Sequence, residues 1–531
     1  MENNNFRNGV IGGILSADDM PSASKEKTVK SVICNKSVSA DVGGEFNIPE
    51  HLPEIRKLIK VDVRPSPASE FLSSGGLQLG GGMEYIAVYL GSDGCTYSVS
   101  FPGEYNFSIS FDEGVGGVTE GAYVCSSVYP ESAVSRVSGA RRINIRARLA
   151  AKATVLEEKP LACGAIATQS KNLQKLAKKT QYFKELRGCK NDVELVDSVD
   201  TSEEGVRYLY SDCKVFIEDS VSGEGYVDCR GCAVAKHFMC RESGELYTVV
   251  NKIAFSEAVE IDDLRSGSSV CVWGNCSGIG IDIQDADADG KLKLVIRARL
   301  DAAAFNECEL EYVKDVYSTD CECSSEFETY RLPVLLSCKN GNMTFSGSEE
   351  LSSVGLLNDN FNVVDVSASA RCESVACQEN KCVVNGKCRF GIVYSAENSE
   401  EVGYSECELP FKYEFDGKGG DVSRFECSVT AAEPKSRRDG EKISFDCELS
   451  VSCFALGEAE VRVVDAIKTE CMTKKKRGGF TVCYPDKEDS LWSIAKRYRA
   501  SVLNTAHSNG IGDVSDADEI RPSDGKKYMI I

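Results

Sequence analysis

Histidine and tryptophan are scarce in this chain, whose 531 residues include three histidines and two tryptophans. Because histidine is the side chain that most often acts as a general base near neutral pH, three scattered copies leave little capacity for acid–base catalysis. The sequence also lacks a Gly-x-x-x-x-Gly-Lys-Ser/Thr phosphate loop, a Gly-x-Ser-x-Gly nucleophile elbow and a His-Glu-x-x-His zinc motif. We therefore predict no catalytic residues and expect a protein that is not an enzyme.

Long apolar runs and an excess of basic charge are also missing. No stretch approaches the roughly 18 apolar residues that a membrane-spanning helix needs. The segment Val10–Leu15 is short, is broken by Gly12 and Gly13, and follows no basic region, so we expect no secretory signal and a soluble, cytoplasmic protein. The formal charge of -21 disfavours nonspecific binding to nucleic acid, which requires a basic surface.

Cysteine, in contrast, is abundant, with 25 residues. An odd total excludes complete pairing within one chain, and the single Cys-x-x-Cys, Cys229 to Cys232, has no second ligand pair at zinc spacing. Several cysteines, such as Cys447 and Cys453, occupy strand positions that a small apolar residue would also fit. We predict buried, reduced thiols, with later oxidative cross-linking as the open alternative.

One stretch begins like a calcium-binding loop. Asp285, Asp287 and Asp289 alternate before Gly290, but Ile296 stands where the loop requires its acidic twelfth residue. We therefore predict a turn between two strands, with no metal and no cofactor.

A repeat with a period near 150 residues organises most of the chain. The sequence Ile-Arg-Ala-Arg-Leu at Ile145–Leu149 returns at Ile296–Leu300, and a looser copy occupies Phe445–Leu449. Two further landmarks share this period, a glycine that opens a strand and a later phenylalanine: Gly82, Gly231 and Gly386, then Phe107, Phe255 and Phe411. Because this period matches the usual size of a domain, we predict tandem copies of one fold.

Alternating apolar residues predict strands over most of each copy. In the first copy, Met83–Leu90 and Tyr97–Phe101 flank a turn and predict a hairpin. The segment that closes each copy is predicted as a strand: Ile143–Ala153, Leu292–Ala302 and Lys442–Phe454.

Three other segments of the body are predicted not to be strands. We predict a short helix that starts at Pro53 and carries Ile55, Leu58 and Ile59, and a second helix over 170–186. We predict that the glycine-rich stretch Gly75–Gly82 is a loop.

The last 50 or so residues follow another pattern. Phe480–Tyr484 alternates as a strand, Asp489 and Ser490 precede an amphipathic helix over Leu491–Tyr498, a second helix starts at Val502, and Tyr528–Ile531 returns as a strand.

The predicted fold is therefore a mainly β multidomain protein with a small C-terminal βααβ domain. Its parts are a flexible segment (1–28), three β-rich repeats (29–165, 166–318 and 319–472, the last the most diverged), a basic, glycine-containing linker (473–479) and the C-terminal domain (480–531).

The C-terminal pattern resembles a LysM domain over essentially all of 480–531. The resemblance implies a ligand groove between two loops, built by Asp489, Ser490, Leu491, Trp492, Asn509, Gly510 and Ile511, and a ligand that contains N-acetylglucosamine. Glu488 stands where LysM sequences usually have glycine, and with Asp486 and Asp489 it makes an acidic entrance that suits a basic protein partner. Trp492 is open to two interpretations, a ligand platform or a helix-packing aromatic residue.

The three-repeat body has a resemblance of its own. Ile48-Pro-Glu-His-Leu-Pro-Glu-Ile-Arg-Lys-Leu-Ile59, followed by the glycine-led strands and the closing Ile-Arg-Ala-Arg-Leu, resembles the SPOCS domain of endospore-forming Clostridia. Tandem SPOCS domains followed by LysM are similar to the SipL-type spore morphogenetic proteins.

That resemblance implies a scaffold in the mother-cell cytoplasm, at the forespore surface. Its expected partner is the spore coat basement-layer ATPase, stage IV sporulation protein A, or another coat protein. Two alternatives stay open: a LysM protein of the cell wall or cortex that binds peptidoglycan, and a cell-wall hydrolase.

Overall fold

The computed structural model describes residues 28–112, 122–161, 172–200, 206–282, 291–320, 322–356, 361–396, 402–470, 481–522 and 527–530. These residues are mainly β, as predicted. Three predicted features lie essentially outside the described residues: the flexible segment 1–28, the turn at 285–290 and the linker 473–479.

The strands of the body fall into three consecutive groups. The first group has β1 (Thr28–Asn47), β2 (Ile55–Pro65), β3 (Ser69–Ser73), β4 (Gly76–Gly91), β5 (Thr96–Ser110), β6 (Tyr123–Gly139) and β7 (Arg142–Pro160). The second has β8 (Leu173–Asp200), β9 (Arg207–Ser222), β10 (Tyr226–Cys240), β11 (Leu246–Glu260), β12 (Ser269–Asp282) and β13 (Lys291–Ser318). The third has β14 (Glu322–Glu350), β15 (Phe361–Gln378), β16 (Lys381–Ala396), β17 (Val402–Asp416), β18 (Arg424–Asp439) and β19 (Lys442–Glu470).

Each group forms two antiparallel sheets that enclose one apolar core. The sheet orders are β1-β7-β6 with β2-β4-β3, where β5 also pairs with β4; β12-β13-β8 with β11-β10-β9; and β14-β19-β18 with β15-β16-β17. Ile145, Ile296 and Phe445 lie on the middle strands β7, β13 and β19, and all three are fully buried. Alternation along these strands directs one set of side chains into each core.

The glycine landmark has a structural cause. A β-carbon on Gly231 would lie 2.8 Å from the ring of Phe255, and one on Gly386 would lie 2.5 Å from the ring of Phe411. In the first group the matching contact joins Gly81 and Tyr105, which are direct cross-strand partners. The first-group landmarks from the sequence, Gly82 and Phe107, are not partners of each other, because Gly82 pairs with Glu104 and the buried Phe107 pairs with Leu79.

Both predicted helices of the body are wrong. The segment after Pro53 forms β2, which pairs with β4 through register shifts between Ile55 and Lys57 and between Leu58 and Lys60. These bulges break the two-residue alternation, so the apolar residues mimic helical spacing.

The segment 170–186 contributes to β8, which pairs with β13 along its whole length. Leu173 and Leu176 are three residues apart, so they point to opposite faces of this strand. Each packs into a different apolar cluster, and both faces of the strand are therefore buried here. The predicted loop at Gly75–Gly82 is also wrong, since β4 starts at Gly76.

Apolar clusters join the three groups. Ile86 and Leu90 from the first group pack with Leu209 and Phe238 from the second and Val393 from the third. A second cluster combines Val29, Leu161, Tyr182, Leu310, Leu332 and Val461 from all three groups. The groups therefore share buried surface and form one body.

The C-terminal module consists of β20 (Thr481–Cys483), α1 (Leu491–Tyr498), α2 (Val502–Ser508) and β21 (Tyr528–Ile530), with β20 paired to β21. Ser490 caps α1 by accepting a hydrogen bond from the backbone N–H of Ser493, and Ser501 caps α2 in the same way from Asn504. Neither described helix has the length and apolar character that crossing a membrane requires.

Most described cysteines are free thiols. Cys377 and Cys382 form one disulfide between the paired ends of β15 and β16, and twenty others are unpaired. The disulfide departs from the prediction of reduced thiols because direct cross-strand partners lie close enough to bond.

Candidate functional site

Three of the predicted groove residues in the C-terminal module have structural roles. Ser490 is the helix cap, and Leu491 is fully buried. The Asp489 carboxylate accepts hydrogen bonds from Arg497 at 3.1 Å and from the backbone N–H of Asp486 at 3.0 Å. These residues fix the start of α1 and offer little surface to a ligand.

Trp492 lies at the contact between the module and the body. Its side chain is 4% exposed, and its indole Nε1 donates a hydrogen bond of 2.8 Å to Asp315 on β13. Its ring meets Tyr317 edge to face at 5.0 Å. The structure thus favours the packing interpretation of Trp492 over that of a ligand platform.

The second predicted loop follows α2. Gly510 has a positive φ of 71°, which lets the chain turn after Asn509, whose side chain donates to the Thr505 carbonyl at 2.6 Å. Ile511 is half-buried and packs on the core that contains Leu491 and Trp492. The structure therefore brings Leu491, Trp492 and Ile511 together as core, and leaves Asn509 and Gly510 nearer the surface.

Charges reinforce the contact between module and body. The ammonium group of Lys178 on β8 lies 2.9 Å from Asp516, 2.8 Å from Asp518 and 3.1 Å from Glu519. Burial would lower the pKa of Lys178, but the hydrogen bonds that its ammonium group donates to these carboxylates outweigh burial and raise that pKa. The three carboxylates lie close enough together to hold a cation, and the ammonium group of Lys178 is the cation that they bind in this structure.

Two further ion pairs lie beside this cluster. Lys496 on α1 reaches Asp315 at 2.6 Å, and Lys314 reaches Asp518 at 2.8 Å. Tyr317 donates its hydroxyl to the Ala500 carbonyl at 2.6 Å. The module is therefore fixed to the ends of β8 and β13 by both apolar and polar contacts.

The opposite face of β20 is open. Val482 and Tyr484 flank the buried Cys483 and point away from the core, and Tyr484 is 69% exposed. The ammonium group of Lys527 lies 5.3 Å from the centre of the Tyr484 ring, within cation–π range. We call Val482, Tyr484 and Lys527 the tail patch. An exposed aromatic residue beside a cation is a typical anchor of protein interfaces.

A second candidate is a chamber of about 1250 Å³ where the three groups meet. Its charged and phenolic lining comes from strands far apart in the chain and includes Lys60, Asp62 and Arg64 of β2, Tyr210, Asp212 and Lys214 of β9, Lys236 of β10, Asp365 of β15, Arg389 of β16 and Tyr404 of β17. Sequence analysis missed this site because no local motif links these strands.

Lys60 is the most buried cation of the chamber. It pairs with Asp62 at 2.9 Å and lies 5.4 Å from the ring centre of Tyr210 and 5.6 Å from that of Tyr404. Burial alone would lower the pKa of Lys60, but Asp62 and the two phenols raise it well above its ordinary value. Lys60 therefore stays charged.

Three further cations of the lining are paired with carboxylates. Arg64 lies 3.9 Å from Asp212, Lys214 lies 3.5 Å from the same carboxylate, and Lys236 pairs with Asp365. Cations and carboxylates therefore lie side by side in the chamber and offer polar groups for the recognition of a ligand.

Comparison with protein-family models, with curated proteins and with solved structures found no match.

His237 is the one buried histidine among the described residues, and its role is structural. It is fully buried on β10, where its Nδ1 lies 2.6 Å from the Ser211 hydroxyl. Burial lowers the pKa of His237 to about 4, against a smaller raising effect of the Asn251 side chain.

We predict a pH-dependent stability that comes from His237. Between its ordinary pKa of 6.5 and the folded value of about 4, the unfolded chain binds a proton that the folded chain does not. The contribution of neutral His237 to the free energy of unfolding is complete above pH 6.5, and it falls by about 3 kcal/mol as the pH falls to 4. Urea unfolding should show that the free energy of unfolding falls less between pH 6.5 and 4 in His237→Gln than in wild type. The exposed-residue control His51→Gln should match wild type, and equal slopes for all three proteins would contradict the prediction.

Proposed function

We propose that this protein is a non-enzymatic scaffold in spore coat assembly, made of three SPOCS-like units and a LysM-like module. In this proposal the units are residues 29–165, 166–318 and 319–472, and the module is 480–531. The observation that carries the proposal is the strand order that the three groups of strands share.

In every group the last strand lies in the middle of one sheet, between the first strand and the strand before last. The strands between them form the second sheet, and the first group adds only the short β3. Ile145, Ile296 and Phe445 occupy the same kind of position, buried on that middle strand. Equal topology, equal landmarks and one period support three copies of one fold.

The buried contacts between the groups support a scaffold role. A body held by shared apolar clusters keeps its outer surfaces in fixed relative positions, so that several partners can be placed at once. Paired charges in the chamber and the lack of a catalytic arrangement among the described residues support binding rather than catalysis.

We propose that the module binds its partner through the tail patch and not through Trp492. Trp492 is occupied by Asp315 and Tyr317, whereas Tyr484 is free for contact. The proposed partner is the coat basement-layer ATPase, stage IV sporulation protein A, at the forespore surface in the mother-cell cytoplasm. A buried Trp492 supports a protein partner over an N-acetylglucosamine polymer.

The proposal predicts that Tyr484→Ala weakens capture of the ATPase from sporulating cells. Loss of an aromatic anchor costs on the order of 2 kcal/mol, or roughly a thirtyfold loss of affinity. The bait is the full chain, and recovery of the ATPase is quantified. Phe71→Ala is the matched control, since Phe71 is an equally exposed aromatic residue, 65% against 69%, on β3 of the body. Equal recovery with both variants would contradict the tail patch, and recovery of peptidoglycan alone would contradict the scaffold.

A further inference from the structure

The interface between the second and third groups holds two thiols, one from each group. Cys271 lies on β12, an edge strand of the second group, and Cys338 lies on β14, an edge strand of the third. The Cys271 Sγ lies 3.7 Å from the carbonyl oxygen of Lys339, which is next to Cys338 in the chain. The two strands therefore approach closely at this point.

Asn340 holds the two strands in place. Its Oδ1 accepts from the Val272 backbone N–H at 3.0 Å, and its Nδ2 donates to the Val272 carbonyl at 2.6 Å. The same amide donates to the Ser452 hydroxyl at 2.7 Å and accepts from the Ser220 hydroxyl at 3.0 Å. This one side chain thus joins β9, β12, β14 and β19.

Strand geometry directs Cys338 toward the same neighbour. Residues two apart in a strand project from one face, so Cys338 shares the face from which Asn340 reaches β12. An aromatic pair on the same interface, Phe305 and Phe454 at 5.0 Å, adds apolar packing on both sides. The two thiols are therefore positioned by a rigid frame of neighbours and not by chance flexibility.

We propose that Cys271 and Cys338 are an oxidative modification site, at which a peroxide joins them in a disulfide that ties the second group to the third. Because Asn340 holds these two edge strands side by side, the two sulfurs can reach the S–S distance of roughly 2.05 Å without separating the groups. The bond would prevent the two groups from separating.

The order of the steps follows from exposure. Cys338 is half-buried and Cys271 is fully buried, so the Cys338 thiolate attacks the peroxide oxygen first. With hydrogen peroxide this forms a sulfenic acid on Cys338 and releases one water. The Cys271 sulfur then attacks the Cys338 sulfur, and a second water leaves as the disulfide forms. Two thiols and one peroxide thus give one disulfide and two waters. Burial raises the pKa of Cys271, which fits its role as the second, resolving thiol.

The test is peptide mapping of the full chain after limited hydrogen peroxide, with free thiols alkylated under denaturing conditions. The expected result is the loss of the Cys271 and Cys338 thiols and a linked Cys271–Cys338 peptide. In Cys271→Ser, Cys338 should instead accumulate as a sulfenic acid that dimedone traps.

Cys189→Ser is the matched control, because Cys189 is an exposed free thiol of the second group, and it should give the same linked peptide as wild type. Peroxide treatment of the urea-unfolded chain should remove the preference for this pair, since folding creates it. A peroxide-treated folded chain in which Cys271 and Cys338 are not linked, or a Cys338 that stays reduced, would overturn the proposal. Because the mapping uses wild-type protein, the result does not depend on a variant that folds poorly.

Discussion

Arg187→Ala will lower the free energy of unfolding by about 3–5 kcal/mol, because it leaves buried carboxylates without their partner. Arg187 on β8 is 3% exposed and makes a bidentate pair with Glu426 on β18, at 2.8 and 2.7 Å. Its Nε also donates to Glu185 at 2.7 Å, and Glu185 in turn pairs with Arg424. The network joins the second and third groups at the centre of the body.

The first group reaches the same arginine. The Arg187 guanidinium lies 5.7 Å from the ring centre of Tyr123, which is on β6. It also lies 5.7 Å from the ring centre of Trp273 and 5.2 Å from that of Phe454. Burial would raise the pKa of Glu185, but Arg187, Arg424 and Lys30 outweigh it and keep that pKa lowered. Loss of Arg187 therefore affects all three groups at once.

The measurement for Arg187 is the first transition in urea unfolding, since a chain of this size need not unfold in one step. Arg230→Ala is the control, because Arg230 pairs with Asp219 at 2.8 Å on the exposed surface, where an ion pair contributes 1 kcal/mol or less, roughly. Arg187→Lys should lie between the two, since lysine keeps the charge but loses the bidentate geometry. Similar midpoints for Arg187→Ala and Arg230→Ala would show that the junction does not hold the body together.

Trp492→Ala will release and unfold the C-terminal module, with a cost of about 3–5 kcal/mol for a buried tryptophan. The change removes the edge-to-face contact with Tyr317 and the hydrogen bond to Asp315. It also opens a cavity beside Leu491 and Ile494, which belong to the same core. A module with two helices and a two-stranded sheet has little other buried surface to offset that loss.

Hydrogen exchange of the full chain, followed over α1, measures this effect. We expect fast exchange over α1 in Trp492→Ala and unchanged protection in the strands β4 and β16 of the body. Trp492→Phe should lose less protection, because phenylalanine keeps the aromatic packing but not the hydrogen bond. Tyr484→Ala is the exposed control in the same module and should exchange like wild type. Protection of α1 that survives Trp492→Ala would contradict the packing role assigned to Trp492.

Local sequence patterns predicted the elements whose structure is decided locally. Alternation predicted the closing strands at Ile145, Ile296 and Phe445, because one face of each strand is buried along its length. Capping residues predicted both helices of the module, since Ser490 and Ser501 satisfy backbone N–H groups within one turn.

Features set by distant partners could not be predicted. The side on which Trp492 packs depends on Asp315, which is 177 positions away in the chain. The two false helices arose where bulges and two-sided burial disturb alternation, as at Leu58 and Leu176. The chamber and the Arg187 network form only when all three groups are in place, so no single stretch of the sequence predicts them.

Direct titration tests the scaffold proposal most closely. Purified full chain is titrated with purified stage IV sporulation protein A and, separately, with N-acetylglucosamine oligomers, and the Tyr484→Ala and Phe71→Ala variants are measured beside wild type. The account predicts saturable binding to the ATPase that Tyr484→Ala weakens and Phe71→Ala leaves unchanged. Saturable binding to the sugar oligomers with no binding to the ATPase would contradict it.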